Sequence, residues 1–468
     1  MSIIIPANSA VAGGYDVENS CRFDGTAAYL NRTQGTSTNL TKFAWSGWIK
    51  RSKLGADQTV TMNYASASNY GYFYFRSGDD IRIFDRGAGG DTVAISDMLF
   101  RDTSAWYHIA LIIDTTQATD TNRLKLYVNG ILQGLNGVTY PAENAALGWK
   151  VANTSNTFLM RANSADGYVG GYLAEVAYVD GTANAITDFG EFDEDSGIWK
   201  PIDVSGLTFG NEGYYLDFKD SANLGNDVTG GTDFTENSLA AIDQTQDTCT
   251  NNFCTMNSLD AYWSASTFED GNCTIIMPET TNETYTRATM GVNSGKWYWE
   301  ALCTVQNSTM NAGIVDSPAI ATNTELGKRP KGLSWNDSGS LNGNDTQVFN
   351  STQAPAYSTS QIISFAMDLD NNFLYLRLAG SYTNSGNPES GASGTGGAAI
   401  PTNPSSGFYF PAFGDSSTSG GRYQVNFGNS PFAISSGNTD GNDRGNFEYT
   451  VPSGYLALCT KNLSEANS

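Results

Sequence analysis

Short apolar segments of period two, recurring at strand spacing and closed by tight-turn residues, constrain this chain most. In residues 43–51 (FAWSGWIKR), Phe43, Trp45, Gly47 and Ile49 share one side of an extended chain, and Ala44, Ser46, Trp48 and Lys50 share the other. An aromatic on each side predicts a strand covered on both faces, as inside a sandwich. Residues 70–76 (YGYFYFR) and 81–85 (IRIFD) predict a hairpin across residues 77–80, and residues 106–114 (WYHIALIID), apolar on both sides, predict a central strand. In residues 124–132 (LKLYVNGIL), Leu124, Leu126 and Val128 alternate with Lys125 and Tyr127 ahead of Asn129 and Gly130, a strong signal for a type I′ hairpin turn. Residues 158–161 and 171–180 (GYLAEVAYVD) complete a series whose spacing, about 8–12 residues, predicts a β-sandwich.

The chain has 468 residues, room for two to four domains of about 100–200 residues, each with its own core. Its 50 Gly, 24 Tyr and 23 Phe beside 16% charged residues favour strands and turns over surface helices. A net charge of −23, from 48 acidic and 25 basic side chains, repels phosphate backbones and anionic headgroups, so neither nucleic acid nor a membrane is an expected partner. The N-terminal stretch lacks a basic n-region, and no apolar run approaches the roughly 20 residues of a span, so a soluble protein exported, if at all, by another route is expected. Cys21, Cys273, Cys303 and Cys459 stand apart, without zinc-type spacing. Cys249 and Cys254 bracket a short segment that suits a small-loop disulfide in an oxidising compartment and two thiols in a reducing one.

The segments Trp45 to Lys50, Trp106 to Asp114, Leu124 to Gly130 and Gly171 to Gly181 follow a pattern W-S-x-W-[IV]-K, W-Y-H-[IV]-A, L-x-L-Y-V-N-G and G-x-[LI]-A-E-V. In that order and spacing they resemble the laminin-G-like branch of the concanavalin-A-like lectin/glucanase superfamily, which implies a jelly roll over residues 15–186. Residues 187–260 are polar with scattered aromatics, too long for a loop and too aromatic for a flexible linker, and are expected to form an ordered connector. Three of their elements, Gly197 to Pro201, Tyr214 to Phe218 and Asp243 to Phe253, resemble a connector found after laminin-G-like domains in tail-fibre-like and other virion proteins of bacteriophages. That likeness alone implies a viral origin. Farther on, Gly295 to Glu300 (GKWYWE), Ala312 to Val315, Ile362 to Gly380, Phe408 to Phe413 and Gln424 to Gly428, with a tail element from Tyr455 to Asn462, resemble a SPRY domain. Between them, residues 381–406 are rich in Gly, Ser, Pro and Asn and are expected to be a mobile surface loop.

The expected fold is therefore all-β: an N-terminal arm (1–14), a concanavalin-A-like jelly roll (15–186), an ordered connector (187–260) and an antiparallel SPRY-like sandwich (261–468).

Glucanases of the first superfamily use paired carboxylates about 5–5.5 Å apart, which Glu191, Asp193 and Asp195 (EFDED) imitate by alternation. They precede Ser196 and Gly197 and lack the apolar neighbours of a cleft strand, so a solvated acidic loop is the reading preferred. His108, the only histidine, occupies a regular strand position without a nucleophile elbow, which makes it structural and excludes a multi-histidine metal site. Asp368, Asp370 and Asn372 begin like a calcium loop, but Phe373 stands where the loop needs Gly and Ala379 where it needs Glu, so a hairpin turn is expected. Asp440, Asn442 and Asp443 form a further loop cluster, and residues 87–90 (GAGG) read as a turn rather than a phosphate cradle. Sequons at Asn31, Asn282 and Asn307 are coincidental in an Asn-, Ser- and Thr-rich phage protein.

No catalytic residue, metal ligand or cofactor is therefore assigned. What remains is binding by exposed aromatics on a rigid scaffold, for which Tyr64, Tyr70, Tyr72, Trp263 and Tyr382 are candidates by residue type, with core packing as the competing reading. The expected protein is a non-enzymatic virion component, a tail fibre or surface-displayed appendage that binds host-surface glycan or docks on other virion structural proteins. Its alternatives are a capsid-decorating or fibre-connecting protein without receptor binding, and a polysaccharide depolymerase. Such fibres are commonly homotrimers, though no heptad or β-helix repeat is present to demonstrate one.

Overall fold

A computed structural model describes residues 14–150, 155–260, 266–279, 283–307, 309–317, 324–415 and 418–465. Strands dominate, and the one α-helix among the described residues is Thr460–Glu465. The chain divides into two compact units between Asn251 and Asn252.

In the N-terminal unit two antiparallel sheets face each other. The first runs Ile131–Leu132, Leu124–Val128, Trp106–Asp114, Lys42–Arg51, Gly170–Asp180, Ser20–Asp24 and Gln244–Thr245, with Tyr214–Leu216 added beside Gly170–Asp180. The second runs Leu135–Thr139, Gly90–Ser96, Ile81–Gly87, Asn69–Phe75, Gln58–Ser66, Asn156–Leu159, Tyr29–Thr33 and Thr235–Asn237. Phe43, Trp45 and Ile49 from one sheet and Val60, Phe73 and Ile83 from the other fill the core between them. Asn129 and Gly130 both take positive φ (47° and 75°), the conformation the predicted type I′ turn demands.

The alternate side of the first sheet is apolar as well, and residues 187–251 cover it. Phe189, Val204, Phe209 and Tyr215 pack on Ala44, Ile112, Ala177 and Val179, while Trp199 packs with Val17, Trp48 and Ala174. Three short strands in this segment join the sandwich directly: Tyr214–Leu216 on Gly170–Asp180, Gln244–Thr245 on Ser20–Asp24, and Thr235–Asn237 on Tyr29–Thr33. The segment expected as a connector thus contributes strands and cover to the N-terminal unit.

Two buried ion pairs tie this segment to the sandwich, one to each sheet. Lys50 Nζ lies 2.7 Å from Asp247 Oδ2, and Arg32 Nη1 lies 3.2 Å from Asp227 Oδ2, with all four side chains nearly excluded from solvent. The indole N–H of Trp106 donates to the other Asp247 oxygen at 3.0 Å.

The C-terminal unit is a second two-sheet sandwich. Lys296–Val305 lies between Arg422–Asn426 and Ile362–Asp368 in one sheet, and Phe410–Asp415 lies between Thr284–Arg287 and Asn311–Val315 in the other. Trp297, Trp299, Trp335 and Phe365 fill its core. Glu300, the last residue of GKWYWE, is buried on the opposite side of its strand, where its carboxylate accepts from Tyr298 Oη and from the backbone N–H of Glu448 and Tyr449 at 2.8–2.9 Å. Residues 381–406 differ from the mobile loop expected. They form short strands Ser381–Tyr382 and Ala398–Ala399 against Phe373–Leu378, and Asn387 caps a 3-10 turn at Pro388–Ser393. The polar composition of this insertion hid backbone pairing that any side chain permits.

Asp247→Ala leaves the Lys50 ammonium buried without its charge partner, and is expected to destabilise the N-terminal unit by about 3–5 kcal/mol in urea unfolding. The joint replacement Lys50→Met, Asp247→Leu is expected to recover most of that loss, and a single-variant cost below about 1 kcal/mol would show that the pair does not hold the cover.

Candidate functional site

On its outward side the second sheet carries rings. Strand alternation sends Phe73 and Phe75 into the core and Tyr70, Tyr72 and Tyr74 outward. Pairing then sets Tyr64 opposite Tyr70 and Met62 opposite Tyr72 on one side, and Arg86, Phe84 and Arg82 opposite Tyr70, Tyr72 and Tyr74 on the other. Gly71 between the tyrosines is required by the core, because a Cβ there would lie 1.9 Å from the Trp149 ring.

The rings form a near-continuous platform. Tyr70 and Tyr72 lie 5.9 Å apart with planes 12° from parallel, Tyr72 and Tyr74 are 5.3 Å apart, and Tyr64 is 6.0 Å from Tyr70. Phe84, itself buried, supports Tyr70 and Tyr72 at 5.4 and 5.5 Å. The platform floors an open groove of about 650 Å³, with Asp57, Thr59 and the turn from Ala162 to Gly167 along the opposite wall. Tyr64, Tyr70 and Tyr72 are half-exposed, so ring faces remain available. Burial pushes the Tyr72 phenol above its ordinary value and neighbouring Tyr74 adds to this, while the Arg82 and Arg86 charges oppose it; the hydroxyl is a neutral donor at physiological pH.

Three of the five aromatics singled out by type therefore meet in one groove. Tyr382 instead packs on the C-terminal unit under the Arg377 guanidinium, 5.0 Å away, and Trp263 lies outside the described residues. Met62 and Arg86 of the lining, and Phe84 and Arg82 beside it, were missed, although the alternation of Ile81 and Ile83 with Arg82 and Phe84 carried the signal that one side of this strand faces outward.

The other candidates have structural surroundings. Glu191 is exposed and pairs with Lys200, while Asp193 accepts from Ser196 N at 2.9 Å and Ser196 Oγ at 2.8 Å, closing the turn of the hairpin formed by Gly190–Phe192 and Trp199–Pro201. Asp195 is exposed on the same turn. His108 is 1% exposed with its Nε2 2.8 Å from Ser46 Oγ, and burial drives its pKa down to about 3, so it is neutral. Asp368 caps the hairpin turn through Asn371 N at 2.9 Å and pairs with Lys296, and Asp370 accepts from Gly295 N. Asp440 accepts from Asn442 N, Arg444 N, Ala457 N and Asn462 Nδ2, which commits its carboxylate to tying down the C-terminal tail. Residues 87–90 close the hairpin between Ile81–Gly87 and Gly90–Ser96. The cysteines, Cys249 and Cys254 among them, are thiols. No group of three or more His, Cys, Asp or Glu among the described residues is arranged to hold a metal ion.

Residues 24–185 match the family model of the concanavalin A-like lectin/glucanases superfamily. The lining of the groove falls wholly within this lectin-like part. Among solved structures, the SPRY domain of human HERC1 is similar at 13% identity and TM-score 0.29, covering 36% of this chain and 96% of that one. A heptameric SAP-like pentraxin from Limulus polyphemus is similar at 13% identity and TM-score 0.30, covering 44% and 94%. No curated protein matches the chain.

Elsewhere in the lectin-like domain a buried acid sits on a strained bulge. Glu175 and Val176 oppose the single residue Gly47, and Glu175 takes φ 50°. Its carboxyl accepts from Tyr215 Oη, which lies 3.2 Å from Tyr15 Oη. Burial pushes Glu175 from its ordinary 4.5 up to about 7. The unfolded chain ionises near 4.5 while the folded one keeps the proton, so this group's contribution is complete below pH 4.5 and is lost as pH rises towards 7. Asp85, pushed by burial to about 7, acts in the same direction, and His108 acts in the opposite one. Glu175→Gln is therefore expected to match the native chain at pH 4 and to exceed its stability by up to about 3 kcal/mol at pH 8. Parallel stability curves from pH 4 to 8 would exclude the assignment.

Proposed function

We propose that this chain is a glycan-binding surface protein of a bacteriophage virion, a fibre or surface-displayed appendage, and that the tyrosine groove of its lectin-like domain holds host-surface saccharide. The observation that carries the reading is the platform of Tyr64, Tyr70, Tyr72 and Tyr74 along one open groove. Pyranose rings present apolar C–H faces that stack on aromatic rings, while their hydroxyls need acceptors and donors at the margin. Tyrosine hydroxyls, Thr59, Asp57 and Asp166 provide these in the same lining. Support for the virion setting comes from the connector elements Gly197 to Pro201, Tyr214 to Phe218 and Asp243 to Phe253 and their likeness to phage virion proteins.

The test is competition for adsorption. Purified full-length protein, incubated with host cells before phage is added, is expected to lower the number of adsorbed particles in a dose-dependent way. Tyr72→Ala is expected to require about 10-fold more protein for the same effect, equivalent to about 1.4 kcal/mol of binding. Unchanged adsorption at saturating folded protein would remove the receptor-binding role and favour a purely structural place on the virion.

A further inference from the structure

The groove has an electrical polarity across its strands. In sheet order Ile81–Gly87 comes first, then Asn69–Phe75, then Gln58–Ser66. Arg86 lines the groove from the first of these, with Arg82 on the same outward side of that strand beyond the lining, whereas Asp57 and Asp166 line the far wall. Both acids are already acceptors, Asp57 from Ser77 N at 2.7 Å and Asp166 from Ser164 Oγ at 2.6 Å.

The two arginines are not equivalent. Arg86 stacks 5.5 Å over Tyr70 and is held by a fork to Asp91 at 2.8 and 2.6 Å, so its charge is answered. Arg82 stacks 5.6 Å over Phe84, its Nε is buried without an acceptor, and it has neither an ion pair nor a hydrogen bond among the described residues. In a chain with 48 acidic and 25 basic side chains, carboxylates to neutralise a surface guanidinium are abundant. Arg82 stands without one, on the outward side of its strand opposite Tyr74, just beyond the residues that line the groove.

Resting on the glycan reading of the groove, we infer that its ligand is an acidic saccharide whose carboxylate is received by Arg82. The planar guanidinium offers a two-point fork to a carboxylate, and its stacking on Phe84 fixes the plane of that fork before the ligand arrives. A sugar lying across the strands then sets its ring on the half-exposed Tyr72, its acid group toward Arg82, and its hydroxyls toward Asp57 and Asp166. A neutral sugar would leave the guanidinium fork unused.

The experiment is an array of matched oligosaccharides: uronate- and sialate-bearing compounds, their carboxyl-reduced neutral counterparts, and sulfated analogues. It is probed with the full chain and with its Arg82→Gln, Arg82→Lys and Tyr72→Ala variants. The acidic member of at least one pair is expected to bind 10-fold or more tightly than its reduced partner, and less tightly as salt is raised. Arg82→Gln is expected to abolish that preference by bringing the acidic member down to the binding of its reduced partner, and Arg82→Lys, which keeps the charge and controls for folding, to retain part of it. Equal binding of reduced and acidic partners, or a preference that survives in Arg82→Gln, overturns the inference but leaves the groove as a glycan site. Equal or stronger binding of the sulfated analogues overturns the carboxylate assignment in favour of a general polyanion site. No binding to any compound, or binding that Tyr72→Ala does not change, overturns the groove reading and the inference with it.

Discussion

The N-terminal unit depends on a sheet that is apolar on both faces. Trp45 and Trp48 sit three residues apart on one strand and point in opposite directions, each 5% exposed or less. A jelly roll of two sheets covers only one of those directions. Left bare, the face carrying Ala44, Trp48, Ile112, Ala174 and Val179 would expose a contiguous apolar patch of the kind that drives association. Residues 187–251 supply the missing layer, and the Lys50–Asp247 pair to the first sheet and the Arg32–Asp227 pair to the second fix the register of the segment. Each pair costs desolvation of two charges, so its effect is best understood as specificity: it disfavours any placement of the cover that separates the partners.

That cover makes the two outer faces of the sandwich unlike. One is closed by protein, while the Tyr70 to Phe84 face of the other is lined by the tyrosine groove. The same strand serves both the core and the groove, for Phe73 and Phe75 anchor it inside while Tyr72 and Tyr74 face outward. Gly71 links the two roles, since the Trp149 ring occupies the space a side chain would need.

Much of the fold was legible because the longer strands have periods that admit one reading. FAWSGWIKR announced a strand buried on both faces, and Asn129 with Gly130 announced the turn that follows. The contribution of residues 187–251 was not legible in the same way. Its strands are only two or three residues long, such as Tyr214–Leu216 and Gln244–Thr245, and Gln244–Thr245 pairs with Ser20 and Cys21, more than 200 residues earlier. Local periodicity carries no information about such partners. The site was half legible: residue type picked out Tyr64, Tyr70 and Tyr72, but only register brings them beside Arg82, Phe84 and Arg86. Residue type also picked out Tyr382, whose ring serves packing. Carboxylates illustrate the same limit, since Asp193, Asp368 and Asp440 all turned out to cap turns of their own chain, a use that spacing does not separate from ligand binding.

The groove's position on a sheet rather than on loops bears on how it can bind. Loop aromatics must be ordered when a ligand arrives, at roughly 0.5–1.5 kcal/mol for each side chain immobilised. Tyr70, Tyr72 and Tyr74 are already held against one another and against buried Phe84, and their strand is paired on both sides. The opposite wall is similarly braced, with Ala162 N donating to Asp166 O at 3.0 Å and Asn163 N to the Met62 sulfur at 3.4 Å. Little freedom is left to lose, so even a shallow contact with a tyrosine face can appear as net affinity. The same rigidity limits the candidate site to ligands that already fit the spacing of its rings.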